Sequence, residues 1–355
     1  MLIVDDSAIA RDMLERGLSR DPEIEVAGKA QDAYDARDKI VFLKPDVLTL
    51  DVEMPRMDGI EFLKRLLPQF PLPVVVVSGL TAEGSSRALE ALEAGAVAVV
   101  AKPKAEDRDG LAVMLSELAQ AVKEAARADV TKMRRSAVLA KAVRAGGASR
   151  FRDPPKEGAE GPRLIAIGAS TGGTTALNAI IRGFPPTMPG TLVVQHMPPV
   201  FTRIFAEGLA KACKVEVREA RDGDEVRPGL VLVAPGDLHM RVRRLGMGWK
   251  VSCAPGPKVC GHRPSVDVLF TSVAIAAGDR ALGLLLTGMG RDGAAGLLAM
   301  RQEGARCLAQ DEESSVVFGM PKEAWELGAV EKLVSVDDAV DELLARLAVP
   351  AGRRA

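Results

Sequence analysis

The sequence predicts an α/β protein built of two parallel-sheet domains. Short apolar runs alternate with helical patterns in both halves of the chain, which is typical of βαβ units. A length of 355 residues exceeds one ordinary hydrophobic core, so two domains are expected. A basic segment that contains Gly and Pro separates the halves. We therefore predict domains at 1–125 and 162–349, a linker at 126–161 and a tail at 350–355.

The first domain is predicted from five strand-like runs and the helical patterns between them. The strands are Leu2–Val4, Glu25–Ala27, Val47–Leu50, Val74–Val77 and Ala96–Val100. The helices are Ala8–Ser19, Ala33–Leu43, Ile60–Leu67, Ser85–Ala94 and Leu111–Ala126. This (βα)5 pattern predicts one parallel sheet.

The linker is predicted from its composition. Basic residues recur between Lys132 and Arg152 without an acidic residue among them, and Gly146-Gly147 and Asp153-Pro-Pro155 lie in the same segment. We expect a solvated connector, helical at its start and then flexible, in preference to a surface for an acidic partner.

The second domain is predicted as a doubly wound, mostly parallel sheet. Its strands are Leu164–Ile167, Thr191–Val194, Val215–Val217, Gly229–Val233 and Leu282–Thr287. Its helices are Thr175–Arg182, Phe201–Ala212, Ser265–Ala277, Ala294–Glu303 and Ala339–Leu347. Strands and helices again alternate, as in the first domain.

Composition argues against several functional classes. The net charge of −1 gives no global field for nucleic acid or a membrane, and 3% aromatic residues disfavour a base-stacking surface. No apolar run approaches the roughly 20 residues that span a bilayer, and the N-terminus has no secretory pattern. The four scattered cysteines lack metal-ligand spacing, so free thiols in a reduced cytoplasm are expected.

Five polar residues stand at the ends of predicted strands in the first domain, and we call them the acid pocket: Asp5, Asp6, Asp51, Ser78 and Lys102. Carboxylates at neighbouring strand ends repel each other unless a cation neutralises them, and oxygen ligands suit Mg²⁺. A hydroxyl and an ammonium beside them could hold the oxygens of a transferred phosphoryl group. Each residue alone has a simpler explanation, such as a helix N-cap or a solvated lysine. Their coincidence at one sheet edge favours a phosphoryl site.

The segment Asp51–Gly59, DVEMPRMDG, together with the acid pocket, resembles a response-regulator receiver domain. The resemblance implies that Asp51 accepts the phosphoryl group. It implies that Asp6 and Asp51 bind Mg²⁺ with Asp5 nearby, and that the hydroxyl and the ammonium of the pocket respond to phosphorylation. Receivers usually carry Tyr or Phe three residues before this lysine, where the chain has Val99. The aromatic switch of the family is therefore not expected in its usual form.

Three predicted strands of the second domain each lead into a group suited to acyl transfer. Leu164–Ile167 leads into a loop with Ser170, Thr191–Val194 into His196, and Leu282–Thr287 into a loop with Asp292. Ligands of open parallel sheets bind beyond the carboxyl ends of the strands. A serine, a histidine and an aspartate at that edge could supply a nucleophile, a base and an orienting group.

Other interpretations stay open on physical grounds. Gly168–Gly173 could bind a phosphate at a helix N-terminus, although G-x-G-x-x-G spacing is absent and 186–197 contains no acidic residue. Ser170 could instead cap a helix. His239 also follows a strand and could be the base, whereas His262 is expected to cap or order a loop.

Five motifs of the second domain resemble the catalytic domain of the chemotaxis methylesterase CheB: Ile167–Gly173, Gln195–Met197, Ala234–Gly236, His262–Asp267 and Leu286–Gly293. The resemblance implies Ser170 as nucleophile, His196 as base and Asp292 as orienting group. It implies the backbone amides of Thr171 and Met289 as the oxyanion hole.

The two resemblances together imply a phosphorylation-regulated protein-glutamate methylesterase, which also deamidates receptor glutamines. Its expected partners are methyl-accepting chemotaxis receptors as substrates and a CheA-type histidine kinase as phosphodonor. Mg²⁺ would serve phosphorylation, and ester hydrolysis would need no cofactor. The family implies a monomer whose unphosphorylated receiver packs over the esterase cleft until phosphorylation relieves the block. Neither nucleic acid nor membrane insertion is expected.

Two other functional classes compete with this interpretation. The chain could be a receiver-controlled binding module that has lost catalysis, but the intact serine, histidine and aspartate argue against it. It could be a DNA-binding response regulator, but the second half shows no helix-turn-helix pattern and no basic recognition helix.

Overall fold

The computed structural model describes residues 1–79, 81–103, 110–132 and 163–349. Contacts within the chain divide it into two compact units, Met1–Arg134 and Arg135–Ala355. Most of the predicted linker and the whole predicted tail lie outside the described residues. The domain boundaries proposed from the sequence therefore stay predictions.

The first unit is built on a five-stranded parallel sheet in the order β2-β1-β3-β4-β5. Its strands are β1 (Leu2–Val4), β2 (Gly28–Ala30), β3 (Leu48–Asp51), β4 (Val74–Gly79) and β5 (Ala98–Lys102). Its helices are α1 (Ala8–Leu18), α2 (Ala33–Leu43), α3 (Gly59–Leu66), α4 (Ala82–Ala94) and α5 (Gly110–Ala126). Asp51 and Lys102 are the last residues of their strands, so the sheet itself delivers them to one edge.

The second strand was predicted wrongly at Glu25–Ala27. The strand is Gly28–Ala30, which pairs with β1, and the Ala27 amide donates to the carbonyl of Met1 just before the ladder begins. β2 lies at the edge of the sheet and is only half-buried, so its apolar pattern is weak. By contrast, Val74 to Val77 in the interior of the sheet are buried and form a continuous apolar run.

The second unit is built on a seven-stranded parallel sheet in the order β15-β14-β13-β6-β7-β10-β8. Its strands are β6 (Leu164–Ala169), β7 (Gly190–Gln195), β8 (Glu216–Glu219), β10 (Leu230–Val233), β13 (Ala281–Leu285), β14 (Arg306–Gln310) and β15 (Lys332–Val334). Its helices are α6 (Gly173–Arg182), α7 (Phe201–Ala210), α8 (Val266–Ala277), α9 (Ala294–Gln302), α10 (Met320–Glu326) and α11 (Ala339–Leu347). The fold class predicted from the sequence is confirmed.

The chain order within this sheet reverses beside β6. After β6 the chain builds outward through β7, and later it returns to place β13 on the other side of β6. A crevice opens at such a reversal, beyond the carboxyl ends of the strands. The loops that follow β6, β7 and β13 border this crevice, so the topology prepares a site there.

A small antiparallel sheet in the order β11-β12-β9 was missed by the sequence analysis. It consists of β9 (Glu225–Val226), β11 (His239–Leu245) and β12 (Gly248–Ala254). Met240 and Val242 alternate with exposed arginines along β11, and Trp249 on β12 donates its indole N–H to the carbonyl of Ala276 on α8 at 3.0 Å. Period-two alternation was the available signal.

The predicted strand Leu282–Thr287 is shorter than expected. β13 ends at Leu285, although the backbone continues to bond alongside β6: Leu286 N–H donates to Gly168 at 2.8 Å, and Ser170 N–H donates to Thr287 at 3.0 Å. The sequence pattern did not predict β14, β15 and α10. Within the described residues, no helix is long and apolar enough to cross a membrane.

Candidate active site and acid pocket

Ser170 lies in the tight turn between β6 and α6. The Gly173 amide donates to the Ser170 carbonyl at 2.7 Å, and α6 begins with Gly172 as its N-cap at φ 78°. Gly172 has no side chain to cap the helix, and the Ser170 hydroxyl makes no hydrogen bond to any residue described in the structure. Ser170 is therefore not the N-cap, and its Oγ is left available for chemistry.

The loop after β13 packs directly on Ser170. A Cβ at Gly288 would lie 2.7 Å from the Ser170 Cβ and 2.4 Å from the Met320 Sδ, so only glycine fits. This close approach places the loop that carries Met289 against the turn of the candidate nucleophile. On the other side, the Thr171 carbonyl accepts a hydrogen bond from the Thr287 hydroxyl at 3.0 Å, which holds that turn against the same loop.

His196 directly follows β7, next to Ser170 on the neighbouring strand. The register pairs Ala169 with Gln195, so Ser170 and His196 are the next residues along two adjacent parallel strands. Gln195 was not predicted as a site residue. Its buried amide donates to the carbonyl of Ser170 at 3.0 Å and to that of His196 at 3.2 Å, which ties the two loops together.

Asp292 holds His196 and is itself held by the start of α8. His196 Nε2 lies 2.8 Å from Asp292 Oδ2. The Ser265 hydroxyl and the backbone amides of Val266 and Asp267 also donate to this carboxylate, at 2.8, 2.7 and 3.0 Å. The amides of a first helical turn lack partners in their own helix, so this carboxylate satisfies them.

These contacts keep Asp292 ionised well below the usual pH range of a carboxyl group. Burial of the carboxyl opposes ionisation, but the hydrogen bond and charge of His196 and the donors at Asp267 and Ser265 outweigh it and lower the pKa of Asp292 to about 2. A carboxylate at Nε2 requires the proton on that nitrogen. The other ring nitrogen, His196 Nδ1, is buried and has no hydrogen-bond partner among the described residues, so it is the nitrogen free to accept a proton.

His239, the alternative base, has both ring nitrogens engaged. Its Nε2 lies 2.8 Å from the carbonyl of Pro257, and its Nδ1 accepts from the Ser265 amide at 3.3 Å. The side chain is buried, with 1% of its surface exposed. His239 thus fixes the start of α8 and has no nitrogen left for a general base.

His262 lies in a tight loop, and it also contacts the site in a way that was not predicted. Its backbone exchanges hydrogen bonds with Val259 at 2.9 and 3.0 Å. Its ring stacks on that of His196, with centroids 3.7 Å apart and planes 7° from parallel. Burial, then the neighbouring His196 and Lys258, lowers the pKa of His262 to about 3.

The acid pocket of the first unit assembles around Lys102. Its Nζ lies 2.6 Å from Asp51 Oδ2 and 3.1 Å from Asp5 Oδ2. Candidate ligand atoms of Asp5, Asp6 and Asp51 all lie within 4.8 Å of one another. The Ser78 hydroxyl, near the end of β4, donates to the carbonyl of Gly84 at 3.0 Å. The structure therefore brings the three carboxylates and the lysine together.

The charges of the acid pocket are poorly balanced. Burial raises the pKa of Asp51, and Lys102 offsets this only in part. Burial of the ammonium works against its charge, but Asp51 and Asp5 raise the pKa of Lys102, so it remains a cation. Three carboxylates facing one ammonium leave excess negative charge, and their hard oxygen atoms suit Mg²⁺. The residues present thus fit a divalent cation.

Comparison with known proteins identifies both units. A family model described as CheB methylesterase matches residues 165–343, and one described as response regulator receiver domain matches residues 1–116. The crystal structure of the Thermotoga maritima CheB methylesterase catalytic domain superposes with a TM-score of 0.51 at 35% identity, covering 52% of this chain and 98% of that one. These matches confirm the two resemblances noted from the motifs.

Curated relatives match along nearly the full chain. The protein named protein-glutamate methylesterase/protein-glutamine glutaminase from Syntrophotalea carbinolica is 54% identical over 346 residues, 97% of this chain and 96% of that protein. Its namesake from Sulfurimonas denitrificans is 53% identical over 352 residues, 97% of this chain and 98% of that protein. The same two units are therefore joined in the same order in proteins that carry this name.

Proposed function

The chain belongs to the CheB methylesterase family, in the form joined to a response regulator receiver domain, and from that premise we propose the following function. It is a phosphorylation-regulated protein-glutamate methylesterase that hydrolyses glutamyl methyl esters of chemotaxis receptors to glutamate and methanol. It also deamidates receptor glutamines by the same route. The names of its relatives support the reaction class, and the geometry around His196 supports the mechanism.

The first half-reaction transfers the acyl group to Ser170. Ser170 Oγ attacks the ester carbonyl carbon while His196 Nδ1 takes the hydroxyl proton. Asp292 keeps the proton on Nε2 and stabilises the imidazolium that forms. When the tetrahedral intermediate collapses, the C–O bond to methoxide breaks and Nδ1–H protonates the leaving group, which departs as methanol. Ammonia leaves in the same way from a glutamine.

The second half-reaction releases the product and restores the enzyme. Water attacks the acyl carbon and gives its proton to His196 Nδ1, and the bond to Ser170 Oγ then breaks as Nδ1–H returns a proton to it. Negative charge on the acyl oxygen in both halves would be met by the backbone amides of Thr171 and Met289. The packing of Gly288 against Ser170 supports this choice for Met289.

The receiver unit carries the control. Asp51 accepts the phosphoryl group, and Asp6 and Asp51 would hold Mg²⁺ with Asp5 beside them. The ion would supply charge neutralisation for the phosphoryl oxygens. Lys102 keeps a positive charge beside the acceptor, and Ser78 can turn its hydroxyl from Gly84 toward a new phosphoryl oxygen.

The partners follow from this function. The phosphodonor is a CheA-type histidine kinase, the substrates are methyl-accepting receptors, and the enzyme acts as a monomer in the cytoplasm. Phosphorylation of Asp51 raises esterase turnover by relieving a block that the unphosphorylated receiver imposes.

One experiment tests the reaction and separates it from a binding function. Methanol release from methylated receptor is measured for the wild type and for Ser170→Ala, with and without a small-molecule phosphodonor. We expect the variant to lose on the order of 10³-fold or more in turnover while incorporating phosphate normally. Equal turnover by both proteins would overturn the serine mechanism. No turnover by either would favour a binding module in place of an enzyme.

A further inference from the structure

We propose that His262 is a positioning residue of the active site, whose neutral ring fixes the plane of the catalytic imidazole. This inference rests on the proposed esterase function and deepens it. A base that must face a carboxylate with one nitrogen and a nucleophile with the other has only one useful ring orientation. Asp292 fixes one edge of the His196 ring through Nε2, but this single contact leaves the ring free to rotate about it. A second ring stacked on its face removes that freedom.

The rings of His196 and His262 stack closely, and a tight turn restrains the position of His262. The ring centroids of His196 and His262 lie 3.7 Å apart with their planes 7° from parallel. His262 ends a turn in which Cys260 and Gly261 have φ of 50° and 85°, and Val259 closes the turn with two backbone hydrogen bonds. Such a turn offers its last residue little freedom.

The neighbouring residue anchors the same loop from the side. Arg263 Nε donates to Asp237 Oδ1 at 2.8 Å, its Nη1 donates to the carbonyl of Gly256 at 2.5 Å, and its own carbonyl accepts from the Asp237 amide at 3.2 Å. Ser265, three residues after His262, donates to Asp292. One short segment therefore supplies both the ring that stacks on the base and a hydrogen-bond donor to the carboxylate that orients the base.

The surroundings of His262 disfavour a positive charge on its ring. The ionic groups that face His262 are His196, Lys258 and Asp292. Burial and the two basic neighbours disfavour a proton on its ring more than Asp292 favours one. A proton taken from Ser170 therefore resides on His196, which has the carboxylate, and not on the ring stacked against it. We assign His262 no proton-transfer step.

Two substitutions that separate a flat ring from bulk alone test this assignment. His262→Phe keeps a flat neutral ring, whereas His262→Leu keeps comparable bulk without a flat face. We expect His262→Phe to retain kcat within about threefold and His262→Leu to lose about tenfold or more. KM should be unchanged in both, because a residue that orients the base affects the chemical step and not the binding of the ground state. A melting temperature for each variant shows that it is folded.

A spectroscopic readout makes the test independent of turnover. In protein with ¹⁵N-labelled histidine, wild type and His262→Phe should show His196 as a single tautomer with its proton on Nε2, and His262→Leu should show exchange between orientations or tautomers. Full activity and an unchanged tautomer in His262→Leu would overturn the positioning role. Equal loss in Phe and Leu variants would show that the nitrogens of His262, and not its flat ring, matter. If the wild type releases no more methanol than Ser170→Ala, the proposed esterase function fails instead.

Discussion

Asp51 and Asp292 are both buried aspartates at the carboxyl edge of a parallel sheet, yet their environments differ. Asp51 is the last residue of β3, and Asp292 lies in the loop that follows β13. Asp292 accepts from His196, from the Ser265 hydroxyl and from two amides of α8. Asp51 accepts from Lys102 at 2.6 Å and, at a longer 3.2 Å, from the Glu53 amide. Consequently the pKa of Asp292 is lowered to about 2, whereas burial raises the pKa of Asp51.

Under the proposed function, this difference suits the same type of side chain to two different roles. A carboxylate whose lone pairs are filled by fixed donors is a poor nucleophile and a good orienting group. A carboxylate with few donors, at the mouth of an acidic cluster, keeps electron pairs available for phosphorus and for a cation. The count of donors, rather than residue type or position in the fold, therefore distinguishes the two sites.

The largest expected effect comes from neutralising Asp292. Asp292→Asn keeps the shape but places a neutral amide against His196, which no longer favours a proton on Nε2. We expect kcat for methanol release to fall on the order of 10⁴-fold, as when a triad loses its carboxylate. Phosphate incorporation should be unchanged, which serves as the control for folding of the receiver. A loss below tenfold would contradict the orienting role.

Neutralising Asp51 should abolish phosphorylation and leave basal esterase turnover intact, the reverse of the result for Asp292. Asp51→Asn removes the phosphoryl acceptor, so label from a phosphodonor should no longer be incorporated and stimulation of methanol release should vanish. Basal turnover without phosphodonor should stay within about twofold of the wild type, since the triad is intact. Stimulation that survives in Asp51→Asn would place the acceptor elsewhere.

A smaller effect is expected when Asp292 loses one donor and keeps its charge. Ser265→Ala removes the hydroxyl that donates to Oδ1, and a charge-assisted hydrogen bond contributes about 1.5 kcal/mol or more. Turnover should fall about tenfold, with KM unchanged. Ser272→Ala on the same helix removes a hydroxyl that donates to the Leu269 carbonyl away from the site, and it serves as the matched control. Equal losses in both variants would mean that the effect is general to the helix.

The pH dependence of the stability of the second unit should report the lowered pKa of Asp292. Because the pKa of Asp292 is lowered from 3.8 to about 2, its contribution is full above about pH 4 and is lost as pH falls toward 2. The contribution is roughly 2 kcal/mol. Both tryptophans, Trp249 and Trp325, lie in the second unit, so their fluorescence reports unfolding of that unit alone. The free energy of unfolding of Asp292→Asn should lack this loss between about pH 4 and pH 2. If the variant's free energy of unfolding falls with pH in parallel with that of the wild type, the assignment to Asp292 is contradicted.

Much of the fold followed from apolar periodicity. Buried runs such as Val74–Val77 and Leu164–Ile167 mark strands because both faces of a parallel sheet are covered. The edge strand Gly28–Ala30 and the hairpin of β11 and β12 did not stand out, because their outward residues are small or polar and only half-buried, or exposed as the arginines of β11 are. Exposure on one side weakens the apolar signal in each case.

The sequence predicts the candidate site as a set of residues and not as a network of contacts. Strand ends indicated Ser170, His196 and Asp292, but the sequence could not decide between His196 and His239 without a resemblance. That choice depends on which nitrogens are already bonded, which is a matter of tertiary contact. The parts played by Gln195 and His262 were missed for the same reason, although both lie inside motifs that were noted.

The most direct test of the contrast between Asp51 and Asp292 is an NMR titration of their carboxyl carbons in Mg²⁺-free protein, assigned with the two Asn variants. Asp292 should remain ionised throughout the range from pH 5 down to about 3.5, because fixed donors hold its charge. Asp51 should gain its proton at a higher pH than Asp292, because burial raises the pKa of Asp51. Titration of Asp292 at the same pH as Asp51, or at a higher pH, would contradict this contrast between the two carboxylates.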